Sequence, residues 1–493
     1  MSGPLVRSGS MAGSRTSSDL ELFVPLDRAN GSPLHRQLER QLRDGIRSGR
    51  LPPDATLPSS RSLARQLGVS RGIVVEAYEQ LVAEGYLASR PGGATRVSRA
   101  AAPEPVRRAL PESERFPFDF RPGRPDVDLF PRDLWLRSLR RVLNEAPSER
   151  LGYIGGHGVP ELRDALASYL NRVRGTCADP ADVVICTGFT QGLRLVGRVL
   201  KSAGARRMAM EDPGQLEARR TIAEAGLEPV PIPVDDAGMR VELLARAGAD
   251  AVLVTPAHQY PTGGVLPPHR RAALVAWAAE RGAVIVEDDY DAEFRYDREP
   301  IGAIQGLEPE RVVYVGSASK ILAPGLRLGW MVVPSRLADE LAAAKKAIDL
   351  GSPALEQLAF ADFLSRGELD RHLRRMRPIY RRRRDALLEA LGRHLPELEP
   401  VGASAGLHVL VWLPPDTDVA AFRQATAAAG VGLDEFAWRG EGPDRQLGVI
   451  FGYGQIDERD VDAGVRALAA TIAASRNGAW TSRRATAAPT IGR

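Results

Sequence analysis

Val312-Val313-Tyr314-Val315-Gly316-Ser317-Ala318-Ser319-Lys320 is the stretch on which the reading of this chain turns. Four apolar residues in a row make a short buried strand, and small polar residues with a lysine follow at its carboxyl end. Lysine is scarce here. Of 66 basic residues only Lys201, Lys320, Lys345 and Lys346 are lysines. Arginine stays protonated inside proteins, so amine chemistry in this chain has four candidate nitrogens. Lys320 is the one at a strand end.

The same pattern repeats outward from that strand. Val183–Cys186, Met208–Met210, Ala251–Val254, Ala283–Val286 and Gly329–Val333 are apolar runs separated by helical segments. Such alternation predicts an α/β unit with a mostly parallel sheet and helices on both faces. A long helical region, Pro353–Leu395, precedes strands His408–Trp412 and Gln446–Phe451 and helices Val419–Ala429 and Glu458–Ala474, which read as a smaller α/β C-terminal lobe.

Ligands of parallel sheets bind beyond the carboxyl ends of the strands. Thr187-Gly188-Phe189-Thr190-Gln191 follows one run and opens a helix, whose first amides suit a phosphate. Glu287-Asp288-Asp289-Tyr290-Asp291 follows another. Its carboxylates could hold a metal, but no histidine or phosphate-loop motif stands beside them in the sequence, so no metal is expected. Gly325-Leu326-Arg327 comes just after Lys320. A strand-end lysine, a carboxylate on a neighbouring strand end, and hydroxyls, amides and an arginine for a phosphate together suit pyridoxal 5'-phosphate.

These residues carry a resemblance. Phe118-Asp119-Phe120-Arg121-Pro122-Gly123, Thr255-Pro256-Ala257-His258-Gln259-Tyr260-Pro261-Thr262-Gly263, Glu287 through Tyr296, Ser317–Lys320 and Gly325-Leu326-Arg327 resemble the class I aminotransferase fold, a fold type I pyridoxal-phosphate domain. The resemblance implies Lys320 as the Schiff-base lysine, Asp288 at the pyridine nitrogen and Tyr290 at the phenolic oxygen. It implies Ser317, Ser319, Arg327 and the amides of Phe189 and Thr190 around the phosphate. Tyr153 resembles the tyrosine that reaches the phosphate of a neighbouring subunit, with a core tyrosine as the alternative. Tyr260 stands where ordinary aminotransferases carry asparagine.

The amino-terminal region reads differently. Leu34, Leu38, Leu42 and Ile46 form one helical stripe, with Ser32-Pro33 as its start. A second short helix follows Ser59 and ends at Gly68. A third is capped by Ser70 and carries Val74, Ala77, Tyr78, Leu81 and Val82. Two short strands, Tyr86–Ser89 and Thr95–Ser98, flank Pro91-Gly92-Gly93. Two helices across a tight turn and then a hairpin make a winged helix-turn-helix. Residues 33–98 hold ten Arg and six acidic residues, which equals the whole net charge of +4, so a polyanion partner is expected for this unit alone. Leu57 through Ala64, Leu67 through Arg71, Ala77 through Leu81 and Glu84-Gly85-Tyr86 resemble the GntR-type winged helix. The resemblance implies DNA contacts from Arg61, Ser70, Arg71, Gly93 and Thr95. The two modules in this order resemble the MocR subfamily of regulators.

Two departures limit catalysis. Gln215, in Glu211-Asp212-Pro213-Gly214-Gln215, stands where relatives carry a tyrosine that stacks on the cofactor ring. The strand Gln446–Phe451 lacks the arginine with which catalytic aminotransferases grip a carboxylate, and Arg439 and Arg445 do not match that pattern. The expectation is a cofactor-dependent transcription regulator that senses an amine, an amino acid or the cofactor through Lys320. An active aminotransferase and a cofactor-free dimerisation scaffold remain alternatives. A homodimer on paired DNA half-sites is expected. Two cysteines and no long apolar run suggest a reducing cytoplasm and no membrane span. The expected layout is a disordered tail to residue 30, the winged helix over 31–98, a linker over 99–117, the aminotransferase-like domain over 118–475 and a disordered tail over 476–493. Eight arginines within Arg371–Arg384 read as an exposed helix face, with DNA contact in a dimer as the alternative.

Overall fold

In a computed structural model of the chain, the described residues are 25–28, 31–89, 93–99, 116–296, 301–415, 417–433, 436–439 and 446–485. The chain divides into two compact units, Met1–Ser113 and Glu114–Arg493.

The first unit contains α1 (Leu34–Arg47), α2 (Ser60–Leu67), α3 (Arg71–Ala83), β1 (Leu87–Ala88) and β2 (Arg96–Val97). Leu38, Leu42 and Ile46 pack with Leu63, Ala64, Val74, Ala77, Tyr78 and Leu81 in one core. The Ser59 hydroxyl accepts the Ser62 amide at 3.2 Å and so caps α2. Gly68 ends that helix at φ 64°, a conformation open to glycine. The hairpin pairs Leu87 with Val97 and Ala88 with Arg96. Three expectations need correction. Pro33 is the N-cap of α1 and no side chain caps it, because Ser32 lies one residue too early. The Ser32 carbonyl instead accepts the Gln37 side-chain amide at 2.8 Å. Ser70 stands at the N-cap of α3, but its side chain makes no capping bond. Val82 is 37% exposed, since it lies about 100° around the helix from Leu81. The expected tail over residues 1–24, the linker residues 100–115 and the hairpin tip Arg90–Gly92 lie outside the described residues.

The second unit begins with β3 (Phe118–Asp119), α4 (Arg132–Glu145), α5 (Pro160–Arg174), β4 (Val183–Cys186), α6 (Phe189–Ser202), β5 (Arg207–Asp212), α7 (Leu216–Glu224), β6 (Glu228–Asp235) and β7 (Gly238–Met239). Then come α8 (Leu244–Ala247), β8 (Ala251–Val254), α9 (Pro268–Arg281), β9 (Val284–Asp288), β10 (Val312–Ser317), α10 (Ala318–Ile321), β11 (Gly329–Val332), α11 (Ser335–Asp349), α12 (Ala354–Ser365) and α13 (Glu368–His394). The chain closes with β12 (Pro400–Val401), β13 (His408–Trp412), α14 (Val419–Ala428), β14 (Val431–Gly432), β15 (Phe436–Arg439), β16 (Gln446–Gly452) and α15 (Glu458–Ala485).

The large sheet has the order β4-β11-β10-β9-β8-β5-β6-β7. Pairings from β10 through β6 are parallel, and β11 and β7 run antiparallel to their neighbours. Both faces are covered, as a parallel sheet requires. Val184, Cys186, Met208, Met210, Val286 and Val315 pack against α6, α7 and α11. Ala209, Val252, Val254 and Ile285 pack on the other side with Leu274 and Trp277 of α9. The smaller sheet, β12-β13-β16-β15, is antiparallel.

Sequence reading did not foresee β6, because Pro229, Pro231 and Pro233 interrupt it. The Glu228 amide donates to Arg206 on the β5 side at 2.8 Å. With a period of two, the three prolines therefore aim away from β5, where no N–H is needed. The expected carboxyl-terminal tail is also corrected. Helix α15 runs through Ala485, since no proline interrupts the ladder before Pro489. Residues 486–493 lie outside the described residues.

Candidate functional site

Strand β10 carries its chain past the edge of the sheet at Ser317, and α10 then presents Lys320. The Lys320 amine donates to the Gly123 carbonyl at 2.5 Å. Gly123, Gln215, Tyr260, Tyr290, Asp291, Lys320, Leu407 and His408 line a cleft of about 400 Å³, part of it open to solvent. Lys320 is half-buried, and the buried Lys345 is engaged by Asp349 at 2.7 Å and Ser352 at 2.9 Å. Lys201 and Lys346 are exposed.

Asp288 ends β9 beside β10, in register with Val315. With Glu211, Gln215, Thr255 and Tyr260 it lines a pocket that adjoins the cleft. Asp288 is buried, and its carboxylate has no hydrogen-bond or ion-pair partner among the described residues. Burial, then Asp289, Asp291 and Glu211, push its pKa well up, against the pull of Lys320. A buried carboxylate that lacks a cation is what a protonated pyridine nitrogen would complete. Tyr290 is held neutral, its pKa raised first by burial and then by Asp291 and Asp288. Tyr260 stands edge-on to it, with centroids 6.1 Å apart.

At the other end, Gly188 is the N-cap of α6, and Phe189 and Thr190 are its first residues. Ser317 pairs with Gly329, and a Cβ on Gly329 would lie 2.6 Å from the Gly188 Cα. A Cβ on Gly188 would in turn lie 3.3 Å from Arg327 Nη2. Ser317, Arg327 and the opening amides of α6 thus share one edge, a cradle suited to an anion. Arg327 occupies the left-handed region at φ 50°, an uncommon place for a side-chain-bearing residue. Ser319 is half-buried beside Lys320. Tyr153 does not join them within one chain. It is 90% exposed, which overturns the core reading.

Of the carboxylates after β9, only Asp288 and Asp291 reach this region. Asp289 pairs with Arg174 at 2.6 Å and accepts the Tyr314 hydroxyl at 2.6 Å. Glu287 accepts the amides of Ile304 and Gln305 at 2.9 and 3.0 Å, with its pKa raised to about 7 by burial. Sequence reading missed four residues here. Glu211 is buried, has a pKa near 7 and accepts the Thr255 hydroxyl at 2.5 Å. His258, Asp291 and His408 form a buried group. The expectation that no histidine accompanies the carboxylates is thereby corrected, because His258 and His408 come from distant segments. Gln215 lines both the cleft and the adjoining pocket, as its alignment with the stacking tyrosine implied. Arg445 and the Arg439 side chain lie outside what is described.

The arginine run on α13 is not a uniformly exposed face. Arg384 is buried and donates to the Ala403 carbonyl at 3.0 Å, and Arg383 pairs with Asp126 at 2.6 Å. In the first unit, Arg61, Ser70, Arg71 and Gly93 are exposed, and Thr95 is half-buried. Arg71 Nε donates to the Ser60 hydroxyl at 3.4 Å, joining the two helices of the motif. The Thr95 carbonyl accepts the Leu57 amide at 2.9 Å and ties the hairpin to the start of α2.

The sequence profile of aminotransferases of class I and II matches residues 126–436, and that of bacterial regulatory proteins of the gntR family matches residues 34–97. The probable rhizopine catabolism regulatory protein MocR of Rhizobium meliloti is 34% identical over 491 residues, 95% of this chain and 99% of that protein. The chain belongs to the MocR subfamily of gntR-type regulators. Another relative is the pyridoxine biosynthesis transcriptional regulator PdxR of Corynebacterium glutamicum, 33% identical over 89% of this chain and 96% of its own. The aminotransferase part of this MocR-type chain resembles the multiple substrate aminotransferase of Thermococcus profundus, with TM-score 0.66 and 30% identity over 74% of this chain and 93% of that one. The kynurenine aminotransferase of Pyrococcus horikoshii, in complex with PMP, gives TM-score 0.66 at 28% identity, over 74% and 92% of the two chains. Pyridoxal 5'-phosphate is the cofactor of this fold, and the residues around the cleft fit it.

Proposed function

We propose that this chain is a DNA-binding transcription regulator that carries pyridoxal 5'-phosphate at Lys320 and responds to a small amine, an amino acid or the cofactor itself. The observation that carries the reading is the join, in one polypeptide, of a helix-turn-helix to a cleft in which Lys320 lies near a partnerless buried Asp288. When bound, the cofactor supplies an electrophilic carbon for amines and a ring that withdraws electrons. Lys320 would hold the cofactor through its side-chain nitrogen. Asp288 would hold the proton at the ring nitrogen. Tyr290 and Tyr260 would donate to the phenolic oxygen. Ser317, Ser319, Arg327 and the amides of Phe189 and Thr190 hold the phosphate. Tyr153, exposed in one chain, reaches the phosphate in a second copy, which makes the working form a homodimer. Two winged helices, residues 31–98 of each copy, then engage paired half-sites through Arg61, Ser70, Arg71, Gly93 and Thr95. An amine regulates DNA binding to the extent that it favours one arrangement of the dimer over another. Among the described residues no helix is long and apolar enough to cross a membrane. A cytoplasmic location fits the DNA partner.

Transaminase turnover is the second reading, favoured by the enzymes that share the fold. The described part of β16 brings no arginine to the cleft for a substrate carboxylate. The deciding experiment is an absorbance spectrum of the pure protein before and after amines, with a mobility shift on its own upstream DNA. Visible absorbance that responds to amines, together with DNA binding and no ketoacid production, is the expected result. A colourless protein, or one indifferent to that DNA, sinks the proposal.

A further inference from the structure

His258, Asp291 and His408 adjoin the cleft, each at most 2% exposed, and have no part in the reading above. Their polar atoms lie within 4.8 Å of one another, a spacing that could suit a metal ion. Three of the four ring nitrogens already face a protein oxygen. His408 Nε2 is 3.2 Å from the Pro261 carbonyl, and His258 Nε2 is 3.4 Å from the Gly402 carbonyl. His258 Nδ1 lies 3.0 and 3.2 Å from the two Asp291 oxygens and 2.9 Å from the Tyr290 hydroxyl. Hydrogen bonds thus engage both nitrogens of His258 and one of His408.

We infer that the His258–Asp291 pair sets the direction of the Tyr290 hydroxyl, so that Tyr290 accepts from His258 and donates its own hydrogen into the cleft. The step rests on the reading of Tyr290 as the partner of the cofactor's phenolic oxygen. A carboxylate is an acceptor only, so an oxygen 3.0 Å from Nδ1 requires the hydrogen to sit on Nδ1. The same N–H points between Asp291 and the tyrosine oxygen. Tyr290 cannot donate back to a protonated nitrogen, and its hydrogen turns to the cleft that its side chain lines. The tyrosine stays protonated, and so able to donate, because burial and the nearby carboxylates raise its pKa.

Packing holds the pair in place. Gly406 lies at φ 78°, and a Cβ there would stand 2.3 Å from both Asp291 Oδ2 and His258 Cε1. The Gly406 carbonyl is itself fixed, accepting the hydroxyls of Tyr296 at 2.8 Å and Tyr453 at 2.6 Å. Other titratable groups face Tyr290 from each neighbouring element. Asp288 and Glu211 do so from the ends of β9 and β5, and Tyr260 from the loop after β8. His408 faces it from β13, and Lys320 lines the same cleft from α10.

The two ways in which Asp291 could act on a bound cofactor have opposite signs. A hydroxyl that donates to the phenolic oxygen favours its deprotonated form and lowers the pH at which the chromophore loses its proton. The bare negative charge of Asp291 would raise that pH. Asp291→Asn keeps the shape but supplies an N–H that can donate to Nδ1. Nδ1 then becomes an acceptor, and the Tyr290 hydrogen turns away from the cleft. Asp291 and His258 are thus positioning residues that act through Tyr290.

The test is a pH titration of visible absorbance in the full-length protein loaded with pyridoxal 5'-phosphate. Asp291→Asn is expected to raise the midpoint by about one pH unit. Tyr290→Phe should raise it at least as far, and the double variant should match Tyr290→Phe alone. A midpoint that falls or stays put in Asp291→Asn, or shifts that add in the double variant, overturns the inference. A second measurement needs no cofactor. In the cofactor-free wild-type chain, labelled with 15N-histidine, the His258 resonance is identified by its loss in His258→Gln. It should report a protonated Nδ1, and an unprotonated Nδ1 overturns the inference directly. If the wild type forms no chromophore, the cofactor reading fails, while the histidine spectrum still decides the direction of the hydroxyl.

Discussion

The candidate DNA face is confined to Arg61–Thr95, whereas the candidate cofactor cleft gathers residues from Gly123 to His408. On the first, Arg61, Ser70 and Arg71 are exposed to water. In the second, Asp288, Glu211 and His408 are buried and Tyr290 is half-buried, and their protonation is displaced by lost solvation and by neighbouring charges. A site on a helix end works through many small, salt-screened terms. A site inside a cleft works through a few large ones, each of which depends on its neighbours. The two units should therefore answer different perturbations, salt for one and pH for the other.

Lys320→Ala gives the largest separation. It should abolish the amine-responsive visible absorbance while the isolated DNA face is untouched, so basal binding to upstream DNA persists in a mobility shift. Loss of both together would mean that the two units are not separable. The pH contrast comes next. Burial and then His258 push the His408 pKa down to about 3, below the ordinary 6.5. A depressed histidine gives stability that is present above pH 6.5 and lost as pH falls toward 3. Glu211 and Glu287, raised to about 7, act in the opposite sense, so the comparison with a variant is what isolates the histidine. Melting curves of His408→Gln should decline less over that interval than those of the wild type. An identical decline would remove His408 from the account.

Arg71→Ala should weaken DNA binding about tenfold and reduce the salt slope by about one. An unchanged slope would show that Arg71 does not meet a phosphate. The smallest effect is a gain. Gln215→Tyr should tighten cofactor binding by about 1 kcal/mol through ring stacking, read by fluorescence titration. No change would place position 215 away from the ring.

Sequence alone carried the winged helix and most of the large sheet, because glycine stops and short apolar runs act locally. The helix after Ser59 and its Gly68 stop lie where the pattern put them, whereas neither Ser32 nor Ser70 makes the capping bond expected of it. It failed where a pattern is local but its meaning is not. The prolines of β6 are harmless because their nitrogens face away from β5, the strand that β6 pairs with along its length. Lys320, Asp288 and Tyr290 were legible because each sits beside a strand end within a dense motif. His258 and Asp291 stood in the same motifs without a role, since adjacency in sequence does not reveal which nitrogen meets which oxygen.

The sequence by itself determined the two modules, their order and the scarcity of lysine that singles out Lys320. Tertiary structure decided the rest. It brought His408 from a strand of the smaller sheet onto Tyr290, turned Asp289 away to Arg174, and left Asp288 buried in the pocket beside the cleft. The physical reason is that strand-forming and helix-forming tendencies are set by near neighbours. The solvation and pairing of a charge are set by whatever the fold packs around it.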